Sequence, residues 1–96
     1  MNNVFLKDLL EEIKLEQQIS PFLDEQIILN FIQSGIFDIE EVVGFQIDFN
    51  KDLKARTLLK NYVLYANHKR LSEFKTLYGG DYIELQRKYY VNSKSN

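Results

Sequence analysis

The stretch ARTLLKNYVLYA, residues 55–66, decides the fold. Its apolar residues recur at the three- and four-residue spacing of an α-helix and cover much of the helix circumference, which is typical of a central helix. The pattern extends from Asp52 to about Tyr78. We therefore predict one helix over this range, about 40 Å long at 1.5 Å per residue. A break at Asn67-His68 is the alternative that the pattern leaves open.

Two further helices are predicted before the central one. The first extends from Val4 to Glu16 and has a narrow apolar face, so we expect it to lie across the other helices. The second begins at Ser20-Pro21, because serine caps free N–H groups and proline suits the first helical position. Gly44 is the predicted end of this second helix.

Gly35 lies inside the apolar stripe of the second helix. A glycine inside a helix costs about 1 kcal/mol relative to alanine. Either the helix ends at Ser34 and restarts with Asp38 as its cap, or Gly35 lets another helix approach closely. We favour a continuous helix, because the apolar stripe keeps its phase across Gly35.

The segments on either side of the central helix carry turn signals. FQIDF, residues 45–49, alternates apolar and polar residues like a short strand, but the sequence offers no partner strand. We predict an extended connector whose three large apolar side chains pack on the core or on a neighbouring subunit. Asn50 can cap the central helix, Gly79-Gly80 can end it, and Asp81 can cap a last helix.

Length and composition fit one globular domain. The chain has 96 residues, of which 45% are hydrophobic and 27% are charged, as in ordinary globular proteins. The predicted fold is all-α, a compact bundle of about four helices, two long and two short, with a short extended connector. We expect one domain over residues 1–96, with a disordered tail over 92–96. Apolar runs are too short for a membrane span and no signal peptide is evident, so we expect a soluble protein.

The sequence predicts no catalytic, cofactor-binding or metal site. It contains no cysteine and a single histidine, His68, which lies among polar and basic residues. Zinc sites and serine triads need more than one such group. Adjacent acids such as Glu11-Glu12 point in different directions on a helix, and residues 79–81 lack the lysine of a phosphate loop. We therefore expect a protein that is not an enzyme.

Charge is divided unevenly along the chain. Residues 1–48 carry ten acids and two bases, whereas residues 49–96 carry ten bases and four acids. Either the two halves pair inside the monomer, or the acidic face of one copy meets the basic face of another. The second arrangement is a head-to-tail contact, which can close a ring. The isoelectric point of about 5.3 argues against a dedicated nucleic-acid-binding protein.

Aromatic residues are numerous for so short a chain. Six tyrosines and seven phenylalanines exceed what a small core readily hides, and aromatic side chains at a surface are typical interface anchors. The candidate interface residues are aromatic, apolar or basic: Phe45, Ile47, Phe49, Lys69, Arg70, Tyr82, Tyr89 and Tyr90.

The order of these features resembles the small head–tail connector, or adaptor, proteins of long-tailed bacteriophages. The resemblance covers most of the chain. It rests on these stretches: FLKDLL (5–10), the helix from Asp24 to IEEVVG (39–44), ARTLLKNYVLYA (55–66), LSEF (71–74), Tyr78, Asp81 and Leu85-Gln86. Gly35 fits the small residues near the middle of the family's second helix. Gly79-Gly80 departs from the family pattern.

The resemblance implies a structural role in the virion neck, after assembly in the host cytoplasm. Such proteins form a ring under the portal protein, extend the DNA channel and dock the stopper or tail-completion protein. The implied partners are the portal, the stopper and other copies, with a free form that can be monomeric. DNA would pass without specific binding, and no membrane is involved. Residues 44–50 and 82–96 are the implied contacts. The alternative function is a small helical regulator of another protein or of nucleic acid.

Overall fold

The structure, a computed structural model, describes residues 3–94. Within that range the chain forms five α-helices and no β-strand. The helices are α1 (Asn3–Glu16), α2 (Glu25–Val43), α3 (Leu53–Asn67), α4 (Leu71–Leu77) and α5 (Gly79–Lys94). The all-α prediction is confirmed. The expected count of about four helices is wrong, because the predicted central helix is divided into two.

The central segment breaks at the alternative point, after Asn67. Lys69 has a φ of 59°, a left-handed conformation that an α-helix does not accommodate. The Arg70 N–H then donates to the Tyr65 carbonyl at 2.8 Å and closes the end of α3 before α4 begins. The prediction of one helix over residues 52–78 is therefore wrong.

α2 continues through Gly35, as predicted, and packs closely on α3 there. A Cβ atom at Gly35 would lie 2.6 Å from Leu59 Cδ1 and 2.8 Å from Tyr62 Cδ1, so no side chain fits without displacing them. The close-approach explanation of this glycine is confirmed. α2 ends at Gly44, whose φ of 87° gives a left-handed cap, and the Gly44 N–H donates to the Glu40 carbonyl.

Two helix starts differ from the predicted ones by a few residues. α2 begins after Asp24, whose carboxylate accepts the N–H two residues further on, rather than at Ser20-Pro21. α3 is capped by Asp52 and not by Asn50, because the Asp52 carboxylate accepts the Ala55 N–H at 3.0 Å. In both cases the residue immediately before the helix supplies the capping oxygen, as N-caps do.

The glycine pair at residues 79–80 does not end a helix but forms the first turn of α5. The expectation that Asp81 caps the last helix is wrong for the same reason. α5 continues through Lys94, so residues 92–94 of the expected disordered tail are helical. The other two residues of that tail, 95 and 96, lie outside the described residues.

The helices pack around one apolar core. Glu12 of α1 bonds Arg56 of α3, and Gln17 bonds the Lys60 carbonyl, so α1 and α3 run in the same direction. α2 packs on both of them, and α5 packs on α2. The connector between α2 and α3 is irregular, and its Ile47 and Phe49 lie in the core of the same chain.

An aromatic cluster joins α4 to the rest of the bundle. The Phe74 side chain is fully buried, and its ring centroid lies 4.9 to 6.1 Å from those of four tyrosines. Those tyrosines are Tyr62, Tyr65, Tyr78 and Tyr82. Aromatic pairs at such distances add to the stability that burial gives. The core therefore takes up more aromatic side chains than the sequence suggests.

Candidate interaction surface

We call the side of α5 that carries Tyr82 and Tyr89 its inner face, and a buried carboxylate at the start of α3 is bonded to this face. Asp52 is 8% exposed. Its Oδ2 accepts hydrogen bonds from the Tyr89 hydroxyl at 2.8 Å and from Lys88 Nζ at 3.0 Å. Its Oδ1 accepts the Ala55 N–H and so caps α3. One carboxylate thereby joins the start of α3 to the middle of α5.

A second cluster of the same composition lies one to two turns earlier on α5. The Tyr82 hydroxyl donates to Asp38 Oδ2 at 2.6 Å, and Lys75 Nζ donates to Asp38 Oδ1 at 2.9 Å. These three residues belong to α5, α2 and α4. Each cluster therefore contains one aspartate, one tyrosine and one lysine, and each joins α5 to other helices.

The protonation states of these clusters suit a structural role. Burial acts to raise the pKa of Asp52, but the bonds from Ala55, Tyr89 and Lys88 bring it below the usual aspartate value. Burial and the neighbouring carboxylate raise the pKa of Tyr82 and of Tyr89 above the usual tyrosine value. The aspartate therefore stays ionised and the tyrosine hydroxyls stay protonated donors over the neutral pH range.

The structure separates the predicted interface residues into two groups. Ile47 and Phe49 are buried in the core, Tyr82 is buried, and Tyr89 is half-buried and bonded to Asp52. These four side chains make their contacts within the monomer. The remaining four have accessible side chains, and their interface role stays a prediction: Phe45, Lys69, Arg70 and Tyr90.

The acidic and basic halves of the chain pair inside the monomer at several points. Glu12 of α1 forms ion pairs with Arg56 and with Lys60 Nζ at 3.0 Å, and Glu16 pairs with Lys60 at 3.0 Å. Burial acts to raise the pKa of Glu12, but the bonds from Arg56 and Lys60 bring it below the usual value. The hypothesis that the acidic and basic halves pair within one chain is confirmed for these residues.

An exposed apolar area lies where α2, the connector and α5 meet, and we call it the Phe45 surface. Phe45 is half-buried and separates two shallow depressions, one beside Phe37 and one beside Tyr90. Phe37 is 69% exposed and Tyr90 is 55% exposed. The aromatic residues that line the depressions are Phe37, Phe45 and Tyr90, and the charged ones are Glu40, Glu41 and Arg87. We include in the Phe45 surface the exposed apolar Val42 and Ile83 of the same two helices.

Contacts between helices make the Phe45 surface continuous. Gln86 Nε2 of α5 donates to the Val42 carbonyl of α2 at 2.9 Å, so the two helices meet at these residues. Ile83, Arg87 and Tyr90 recur at the spacing that places side chains on one helix face. We call this side of α5 its outer face. Its side chains are exposed, whereas Tyr82 and Tyr89 on the inner face are buried or half-buried.

A groove of about 420 Å³ lies between α3 and α5. Leu58 and Leu85 are its buried apolar residues, and an exposed ion pair between Lys54 and Glu84, 2.7 Å long, lies on its edge. This groove therefore offers apolar contact area with a paired charge at its rim. Among residues 3–94 no group of three or more side chains is placed to hold a metal ion.

Several exposed apolar residues were not among the sequence-based candidates. Phe37 does not belong to the buried apolar stripe of α2, so its position in the helical repeat already predicts that it lies on the exposed side of α2. Phe22 is 95% exposed in the turn before α2. The misplaced start of α2 concealed it, because a helix beginning at Ser20 would have included Phe22 in its first turn.

None of the helices in the described range is both long enough and apolar enough to cross a membrane. Comparison with known protein families, with curated proteins and with solved structures gives no match.

Proposed function

We propose that the protein is a structural head–tail connector, which acts by contact with other proteins and catalyses no reaction. It forms a ring under a phage portal, extends the DNA channel and docks the stopper or tail-completion protein. The observation that carries the proposal is the Phe45 surface, an exposed apolar area on a bundle in which Tyr82 and Tyr89 are bonded to aspartates of other segments. Contiguous exposed apolar area on a small domain is typical of an interaction site.

The shape of the Phe45 surface suits docking on a portal. Phe37 and Tyr90 project on either side of Phe45, so that one contact can bury three aromatic side chains. Aromatic anchors that fill pockets on a partner supply most of the binding energy in protein interfaces. The surface is built on α2 and α5, and the Asp52 and Asp38 clusters hold α5 in place. The anchors therefore need little ordering when they bind.

Contact between neighbouring copies in the ring involves the turn between α3 and α4. Lys69 has no ion pair among the described residues, whereas Arg70 pairs with Glu73 and lies 5.6 Å from the Tyr65 ring centroid. The basic turn can face an acidic surface of the next copy, which makes the contact head-to-tail. A connector of this kind would act in the virion neck, after assembly in the host cytoplasm.

A regulator that binds nucleic acid is the less favoured alternative. Most of the basic side chains in the second half form ion pairs with acids of the same chain: Lys54, Arg56, Lys60, Arg70, Lys75 and Lys88. Nucleic-acid binding depends on a concentrated field of unpaired positive charge. Paired lysines and arginines supply little of it, so we propose that DNA passes through the ring without specific binding.

The proposal can be tested with the portal protein encoded by the same genome. Native mass spectrometry of the mixture should detect several copies of this chain bound to one portal ring. A portal that carries no copies, together with no ring of the free protein at high concentration, would contradict the proposal.

The head-to-tail contact has its own test. The double variant Lys69→Glu, Arg70→Glu should weaken assembly on the portal while the free energy of unfolding changes by less than about 1 kcal/mol, because exposed ion pairs contribute little. Urea unfolding checks the stability. If assembly of this variant equals that of the wild type, the charge contact between copies is wrong, even where portal binding itself persists.

A further inference from the structure

The Phe45 surface carries two charged side chains that the monomer leaves unpaired. Glu41 of α2 and Arg87 of α5 are both exposed, and neither forms an ion pair within residues 3–94. The adjacent Glu40 differs, because its carboxylate accepts the Ile47 N–H at 2.9 Å and fixes the connector. Glu41 and Arg87 therefore remain available to a partner.

The two charges lie on opposite sides of Phe45. Glu41 lines the depression that also contains Phe37, whereas Arg87 lines the depression that also contains Tyr90. The Phe45 surface thus has an acidic edge, an apolar middle and a basic edge. A surface of this kind is complementary to itself after a rotation of 180° about an axis through its centre.

We infer that two copies of the free protein associate through the Phe45 surface in a two-fold symmetric dimer. Glu41 of each copy then faces Arg87 of the other copy, and the apolar side chains between them leave water. Such a contact closes on itself and does not extend into a ring. The inference goes beyond the connector function, because it describes the protein before it meets a portal.

We expect the dimer to be weak, because the Phe45 surface offers only a few apolar side chains. Stable complexes bury about 800 Å² on each partner, and smaller contacts belong to the transient class. Opposite charges at the edges of such a contact select the orientation and exclude wrong ones more than they add affinity. The portal would therefore displace the second copy when it binds the same apolar residues.

Sedimentation velocity over a series from about 10 µM to 1 mM tests the inference, because dimer formation follows mass action. The wild type should shift from monomer to dimer across the series. Glu41→Arg and Arg87→Glu should each raise the dimer dissociation constant by about tenfold or more, because each sets like charges against one another. Circular dichroism should show that both variants fold, since both side chains are exposed.

Mixing the two variants gives the sharpest result. In a mixed dimer both charge contacts have opposite signs again, so an equimolar mixture should dimerise as the wild type does. The control Lys7→Glu changes an exposed charge on α1, a helix that contributes no residue to the Phe45 surface, and should leave the dissociation constant unchanged.

Three outcomes would overturn the inference: a wild type that stays monomeric throughout, single variants that dimerise like the wild type, or a mixture that does not recover. If the protein dimerises but does not bind the portal, only the proposed connector function is contradicted. If the protein stays monomeric but binds the portal, only the proposed dimer is contradicted. The two proposals therefore fail separately.

Discussion

The two faces of α5 differ in a way that adjacent tyrosines make plain. Tyr89 donates its hydroxyl to the buried Asp52 and stacks on Phe45, with ring centroids 6.1 Å apart. Tyr90, the next residue, is 55% exposed and contacts Lys94, whose Nζ lies 5.1 Å from its ring centroid. The same residue type therefore serves the fold at one position and remains available for binding at the next. What differs is whether another helix offers an acceptor.

The inner face obtains its acceptors from two aspartates that also bond other groups. Asp52 caps α3, and Asp38 pairs with Lys75 of α4. Leaving a buried donor or acceptor unpaired costs about 1 to 3 kcal/mol, whereas an exposed polar group returns to water at little cost. Substitutions on the inner face should therefore destabilise the fold, and those on the outer face should not.

The largest expected effect is that of Asp52→Ala. The substitution removes the cap of α3 and the acceptor of Tyr89 and Lys88 together, so we expect the free energy of unfolding to fall by about 2 to 4 kcal/mol. Urea denaturation measures this change. The matched control is Asp48→Ala in the same connector, whose exposed carboxylate accepts, among residues 3–94, only the Asn50 N–H. Equal losses in the two variants would show that Asp52 does not anchor α5.

The substitutions Tyr89→Phe and Tyr90→Phe compare the two faces of α5 through a single hydroxyl group each, so the expected changes in stability are smaller. Removal of the Tyr89 hydroxyl should lower the free energy of unfolding by about 1 kcal/mol, because one hydrogen bond to a charged, buried acceptor is lost. Removal of the Tyr90 hydroxyl should change it by less than about 0.5 kcal/mol, as for most exposed sites. Thermal unfolding of both variants checks this difference. A larger loss for Tyr90→Phe would reverse the assignment of the two faces.

Acid should weaken the Asp52 anchor gradually. The pKa of Asp52 is lowered in the folded protein, so its ionised form stabilises the fold above the unfolded-state pKa of about 3.9. That contribution is lost as the pH falls through the lower, folded-state pKa. The stability advantage of the wild type over Asp52→Asn should therefore be full near pH 6 and shrink below about pH 4. Urea unfolding at a series of pH values measures the advantage, and a constant difference down to pH 3 would contradict the lowered pKa.

Much of the helical framework follows from local sequence signals. The apolar spacing from Val4 to Glu16 predicts α1 to within one residue, and the unbroken stripe through Gly35 predicts the continuity of α2. The break of the central helix near Asn67 was one of two open alternatives. These features depend on residues three to four positions apart, which a sequence displays directly.

Features that depend on distant contacts could not be predicted in this way. The glycines at 79–80 carry a helical cost of about 1 kcal/mol each. They are nevertheless helical, because the burial of Tyr82 and Leu85 holds the first turns of α5 against the core. The acceptors of Tyr82 and Tyr89 lie 44 and 37 residues away in the chain, so neither tyrosine carries a local signal of its role.

The double variant Ile83→Ser, Tyr90→Ser tests the central claim most directly, because it alters only the outer face of α5. Both side chains are about half-exposed. We expect the free energy of unfolding to change by less than about 1 kcal/mol in total, as for two exposed sites. In native mass spectrometry with the portal protein of the same genome, the variant should bind few or no copies where the wild type binds several. A variant that loads the portal like the wild type, or that unfolds as readily as Asp52→Ala, would contradict the division of α5 into a folding face and a binding face.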